Sequence, residues 1–65
     1  MIEAMTDAQL GRAVDLDLPR VQLEELSLEV ARRLAEAERV DDVSRGERLR
    51  GLSETLAMRL TIPDA

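Results

Sequence analysis

The sequence predicts an all-α protein, a small three-helix chain with a long central helix that forms an antiparallel hairpin with a C-terminal helix. Two observations predict this class. Leucine and alanine, which are strong helix formers, dominate the apolar residues, and Phe, Tyr and Trp are absent. Leucines also recur at helical spacing along two long segments. With 65 residues, the chain is expected to form a single helical domain over residues 1–65.

The first predicted helix is short and covers about residues 6–14. Thr6-Asp7-Ala8-Gln9 fits a capping box, in which Thr6 is the N-cap and Gln9 reaches back to it. Leu10, Ala13 and Val14 follow at helical spacing. The polar stretch after Val14 leads to a proline and is expected to end the helix.

The second predicted helix covers about residues 19–40. Pro19 suits a first helical turn, where its missing N–H is no loss. An apolar stripe is predicted to pack in the core, and it comprises Leu23, Leu26, Val30 and Leu34. A weaker stripe on nearly the opposite side, called here the second face, comprises Val21, Leu28, Ala31 and Ala35.

The third predicted helix covers about residues 45–61. Ser44-Arg45-Gly46-Glu47 is a second capping-box pattern, with Ser44 as the predicted N-cap. The residue before Pro63 is pushed out of the α region, so the helix should end near Thr61. Its apolar face, expected to pack on the core stripe, comprises Leu49, Leu52, Leu56 and Leu60. The short connection between the two helices predicts the antiparallel hairpin.

The composition argues against catalysis and against a cofactor or metal. Histidine, cysteine and lysine are absent, so the serines have no histidine or lysine to activate them and the usual zinc ligands are missing. The aspartates in the two loops, Asp15 with Asp17 and Asp41 with Asp42, do not follow calcium-loop spacing. We therefore expect a non-enzymatic protein with no cofactor and no metal site.

A loose helix-turn-helix pattern over residues 10–21 leaves DNA binding as an alternative. Gly11 would permit a close helix crossing, Asp15 would occupy the turn, and Asp17 would cap the second helix. In this interpretation, a DNA-binding transcriptional regulator would contact DNA through Arg12, Arg20 and Gln22. The net charge of −5 disfavours nucleic acid, because phosphate repels an acidic chain.

The preferred interpretation is a protein–protein interaction module, such as an adaptor, an inhibitor or a regulatory subunit, that acts through apolar helix faces. In a bare hairpin the third helix covers one stripe only. The second face then needs the first segment, a second copy in a homodimer, or a larger target protein. The sequence has no signal-peptide pattern and no apolar run long enough to cross a membrane. We therefore expect a cytoplasmic location and no membrane partner. Every basic residue is arginine, which is typical of GC-rich genomes and suggests a bacterial source.

Overall fold

The structure, a computed structural model, describes residues 2–61 and is all-α, as predicted. A 3-10 turn at Ile2–Ala4 precedes three helices: α1 at Asp7–Val14, α2 at Arg20–Arg39 and α3 at Val43–Thr61. The two long helices form the predicted antiparallel hairpin, and α1 packs against both of them.

Helix α1 begins at the predicted capping box. The Gln9 backbone N–H donates to Thr6 Oγ1 at 3.1 Å, and the Thr6 backbone N–H donates to Gln9 Oε1 at 2.8 Å. These reciprocal bonds satisfy two N–H groups that a helix start otherwise leaves without partners. They fix where the chain turns into α1, which buries Leu10 and Val14 completely or nearly so.

Helix α2 differs from the prediction by one residue at each end. Pro19 is extended (ψ 152°) and takes the N-cap position rather than the first helical turn. At the other end, Asp41 adopts a left-handed φ of 61°. The Asp42 N–H then donates to Ala37 O at 2.8 Å and the Asp41 N–H to Glu38 O at 3.2 Å. This is a Schellman motif with aspartate where glycine is usual, and it reverses the chain within a few residues.

Helix α3 begins at Val43, two residues before the predicted start. The prediction that Ser44 caps it was wrong, since Ser44 lies inside the first turn. Asp42 acts as the cap instead, because its Oδ1 accepts from the Arg45 N–H at 3.3 Å. The sequence offers two capping residues only two positions apart, Asp42 and Ser44. The Schellman motif ends at Asp42, so Asp42 is the residue that precedes α3 and caps it.

The core lies between α2 and α3 and is closed at one side by α1. Within residues 2–61, eight apolar residues are buried: Leu10, Val14, Leu23, Leu26, Val30, Ala37, Leu49 and Leu56. Of the other residues predicted to pack there, Leu34, Leu52 and Leu60 are half-buried against this cluster. Arg33, which is 5% exposed, occupies the core stripe three residues after Val30.

The described part of the chain is only 15 Å across in its thinnest direction. The outer side of α2 faces solvent, since all four residues of the second face are exposed. The N-terminal segment, residues 2–14, packs on a different side of α2 and does not cover them.

Candidate protein-docking surface

An apolar groove opens between the N-terminal segment and the first half of α2. It has a volume of about 690 Å³. Two polar side chains, Gln22 and Glu25, line it. The remaining lining is apolar and comprises Ile2, Ala4, Met5, Ala13, Leu16, Leu18 and Leu26. Such a ratio of apolar to polar lining is typical of a surface that binds an apolar partner.

The exposure of the lining residues increases from the floor of the groove to its rim. Leu26 at the floor is 2% exposed, because it belongs to the core between α2 and α3. Ile2, Met5 and Leu18 are half-buried against that core. Leu16, in the connection between α1 and α2, is 56% exposed. A large apolar side chain at that exposure gains free energy when a partner covers it.

Arg33 holds the N-terminal wall of the groove in place. Its Nη1 donates to Asp7 Oδ1 at 3.0 Å, at the start of α1. Its Nη2 donates to the carbonyl oxygens of Ile2 at 3.3 Å and Glu3 at 3.2 Å. One side chain on α2 therefore fixes both the 3-10 turn and α1.

Glu29 provides the counter-charge for Arg33. Its Oε2 accepts from Arg33 Nε at 2.6 Å, and its two oxygens accept from Arg32 at 2.6 and 3.2 Å. These hydrogen bonds from Arg32 and Arg33 lower the pKa of Glu29 from 4.5 to about 2. Burial lowers the pKa of Arg33, but its bonds to Glu29 and Asp7 outweigh that effect and raise it. The pair is therefore fully ionised at neutral pH.

Arg45 and Arg59 extend this arginine network to α3. Arg45 Nε donates to Asp7 Oδ2 at 2.7 Å, and this bond lowers the pKa of Asp7. Arg59 Nη1 donates to the Val14 carbonyl at the end of α1. Both ends of α1 are thus tied to α3 by arginine side chains. Because charge-assisted bonds depend on geometry, they set the position of α1 more narrowly than apolar contacts do.

The three residues of the DNA-binding interpretation lie on α1 and in the first turn of α2. Arg20 Nη2 donates to the Leu60 carbonyl at 2.9 Å, and Arg20 Nε lies 3.6 Å from Glu24 Oε1. Gln22 lines the apolar groove, and Arg12 is exposed on α1. Arg20 is thus already engaged by a backbone carbonyl group and a carboxylate.

The glycine at the predicted helix crossing also has another neighbour. A methyl group added at Gly11 would lie 3.8 Å from a Leu52 methyl group, an ordinary van der Waals distance. Gly11 thus faces α3 and leaves room for alanine. The geometric reason for a small residue in a helix-turn-helix does not apply at this position.

The sequence predictions did not include the groove or the bonds that tie the N-terminal segment to α2 and α3. The i,i+4 spacing of Glu29 and Arg33 favours an ion pair, and the structure contains that pair with both residues buried. One signal for the burial of Arg33 was present, since it lies at the edge of the core stripe, about 20° beyond Leu26 on a helical projection. The residues at the groove wall, Ile2 and Met5, carried no clear signal because their packing depends on contacts distant in sequence.

The aspartates between α2 and α3 have structural roles. Asp41 and Asp42 form the reversal between α2 and α3. Within residues 2–61, no group of three or more potential metal ligands is brought together. No helix in that range is long and apolar enough to cross a membrane.

Comparison with protein-family models, with curated proteins and with solved structures finds no match to this chain. The features of the molecule that bear on its function are therefore the groove, the second face and the charges around them.

Proposed function

We propose that this protein is a non-enzymatic protein–protein interaction module that binds a target protein in the apolar groove and self-associates as a homodimer. The observation that carries the proposal is a groove of about 690 Å³ with seven apolar residues in its lining, which α2 and an ion-paired N-terminal segment hold open. Apolar surface of this kind stabilises a complex when it is removed from water.

The shape of the groove favours an apolar helix or an extended apolar segment as the bound element. The first half of α2 forms one wall, and side chains of an incoming helix at i, i+3 and i+4 would project along it. Glu25 on the wall gives the groove an acidic edge. A target segment with basic residues beside its apolar anchors fits that edge best.

The test is site-specific photo-crosslinking in the source cells. A photoreactive residue replaces Leu16 at the rim of the groove, and the control carries it at Met58, an apolar residue on α3 that is even more exposed (70%). We expect Leu16 to give a defined crosslink to another protein and Met58 to give none. The same pattern from both positions, or no crosslink from either, would contradict the proposal.

A point substitution in the groove tests the same proposal through the loss of target binding. Leu16→Glu should abolish co-purification of the crosslinked protein, because it places a charge where an apolar side chain is buried on binding. Leu16 lies outside the helices and is more than half exposed, so helicity should be unchanged. A variant that keeps both its fold and the partner would show that the groove is not the binding site.

A further inference from the structure

The second face of α2 is an exposed apolar stripe outside the groove. Leu28 is 74% exposed and Val21 is 65% exposed, although both are large apolar residues. Ala31 and Ala35 continue the stripe and are also exposed. The spacing is that of a heptad pattern, with Val21, Leu28 and Ala35 at a positions and Ala31 at a d position. This is the pattern of a helix that pairs with another helix.

We propose that the occupant of this face is a second copy of the chain, whose α2 packs antiparallel to the first, with Leu28 opposite the partner subunit's Ala31. This inference rests on the proposed function, in which the protein is a homodimer, and adds the face, the direction and the register. Antiparallel pairing about this centre is isologous, because the same stripe serves both subunits.

Charges at d positions decide the direction. The remaining d positions of the stripe are Glu24 and Glu38. In a parallel pair each glutamate would lie directly opposite its own counterpart, and like charges at that distance are destabilising. In the antiparallel register Glu24 lies opposite the partner's Ala35, and Glu38 lies opposite the partner's Val21. The like-charge contacts are thereby avoided.

Charges beside the stripe fit the same register. Glu25 and Arg32 lie on one edge of the second face, where they line a shallow depression together with Leu28. The antiparallel register places Glu25 beside the partner's Arg32, and symmetry repeats the pair. At the ends, Glu38 lies beside the partner's Arg20. The acidic first half of α2 thus meets the more basic second half of its partner.

Small residues allow the two helices to approach closely. Ala31 and Ala35 present only a methyl group each, so Leu28 of the other subunit has room to pack between the helix backbones. Glu25 lines both the groove and the edge of the second face. The apolar residues that line the groove are not members of the second face, so a dimer through the second face leaves that apolar lining open for a target protein.

Sedimentation equilibrium tests whether the second face forms the dimer interface. The wild-type protein should show twice the monomer mass at high concentration, and Leu28→Glu should weaken self-association at least about tenfold. Met58→Glu, at a matched exposed position on α3, should leave it unchanged. Circular dichroism should show equal helicity in all three proteins, because glutamate is a good helix former. A monomeric wild type, or a dimer that survives Leu28→Glu, would overturn the inference.

Disulfide trapping tests the direction and the register, and the chain suits it because it contains no cysteine. Leu28→Cys and Ala31→Cys are prepared separately, mixed and oxidised. The antiparallel register brings these two positions within reach of a disulfide, whose Cβ atoms lie about 3.5–4.5 Å apart. We expect mostly the mixed disulfide. Predominant Leu28→Cys self-crosslinking would show parallel pairing and overturn the register.

The two proposals fail separately. If Leu16 still crosslinks to a target while the wild type is monomeric, the dimer inference is wrong and the interaction module stands. If the dimer forms as described and no target binds the groove, the dimer inference stands and the groove function is wrong.

Discussion

Arg33 Nη1 lies 3.0 Å from Asp7 Oδ1, and this contact joins the middle of α2 to the first residue of α1 across 26 positions of sequence. The guanidinium is almost completely buried, and it is also bonded to Glu29 and to two backbone carbonyl groups. A buried charge with several partners becomes costly when one of those partners is removed.

Arg33→Met should therefore destabilise the protein by about 3 kcal/mol. The substitution keeps the apolar volume but leaves the carbonyl groups of the N-terminal turn without their donor. Urea denaturation followed by circular dichroism measures the loss. The control is Arg39→Met, at an exposed position of the same helix, which should change stability by less than about 0.5 kcal/mol. Equal effects of the two substitutions would contradict the role of Arg33.

The low pKa of Glu29 predicts acid sensitivity. A carboxyl group with a pKa of 4.5 when unfolded and about 2 when folded stabilises the folded state above pH 4.5. That contribution is lost as the pH falls from 4.5 towards 2, and the lowered pKa of Asp7 acts in the same direction. The midpoint of urea denaturation should be flat near neutral pH and fall through this window.

Glu29→Gln should make that acid dependence shallower, since the titrating group is gone. Glu54→Gln, at an exposed position of α3, serves as the matched control and should keep the wild-type slope. If both variants lose stability with acid as steeply as the wild type does, the buried pair is not the cause.

The left-handed Asp41 offers a stabilising substitution. Asp41→Gly should raise stability by about 1 kcal/mol, because glycine adopts a positive φ without the steric penalty of a Cβ atom. The neighbouring Asp42→Gly should lower stability, because Asp42 caps α3 through its side chain. Thermal unfolding of the two variants should shift in opposite directions. A lower midpoint for Asp41→Gly would contradict the Schellman geometry.

The stability lost when a leucine is truncated to alanine should depend on how deeply that leucine is buried. Leu56→Ala, at a fully buried site, should cost about 2–5 kcal/mol, and Leu60→Ala, near the end of α3 and half-buried, should cost distinctly less. Chemical denaturation gives both values. Similar losses at the two sites would show that the end of α3 is packed as tightly as its centre.

DNA binding can be tested directly. We expect no salt-sensitive retention on a duplex-DNA column, because Arg20 is bonded to the Leu60 carbonyl and Glu24 lies beside it. Retention that falls with salt and is weakened by Arg20→Ala and Gln22→Ala would instead establish the DNA-binding alternative.

The sequence predicted the fold well because helix formation here is largely local. The capping box at Thr6 and the periodic leucines determine where the helices form and which sides pack. The start of α3 was misplaced because Asp42 and Ser44 are both good caps, and only the Schellman reversal after Arg39 selects Asp42.

The candidate site was much less predictable. Arg33 occupies a position that helical geometry assigns to the core, but its charge indicates a surface residue. Only the tertiary contacts with Asp7 and the first carbonyl groups resolve that conflict. The groove depends on the same contacts, since its N-terminal wall and its α2 wall are far apart in sequence.

The placement of the N-terminal segment has a consequence for the order of folding. The α2–α3 hairpin can close stepwise from the short turn between its helices, so that each contact closes only a small additional loop, whereas the bond from Arg33 to Asp7 closes a loop of 26 positions in one step. We therefore expect the N-terminal segment to dock after the hairpin has formed, and the groove to exist only after that step. A ligand in the groove would stabilise the docked segment by mass action and slow amide hydrogen exchange in α1 before it affects exchange in the hairpin.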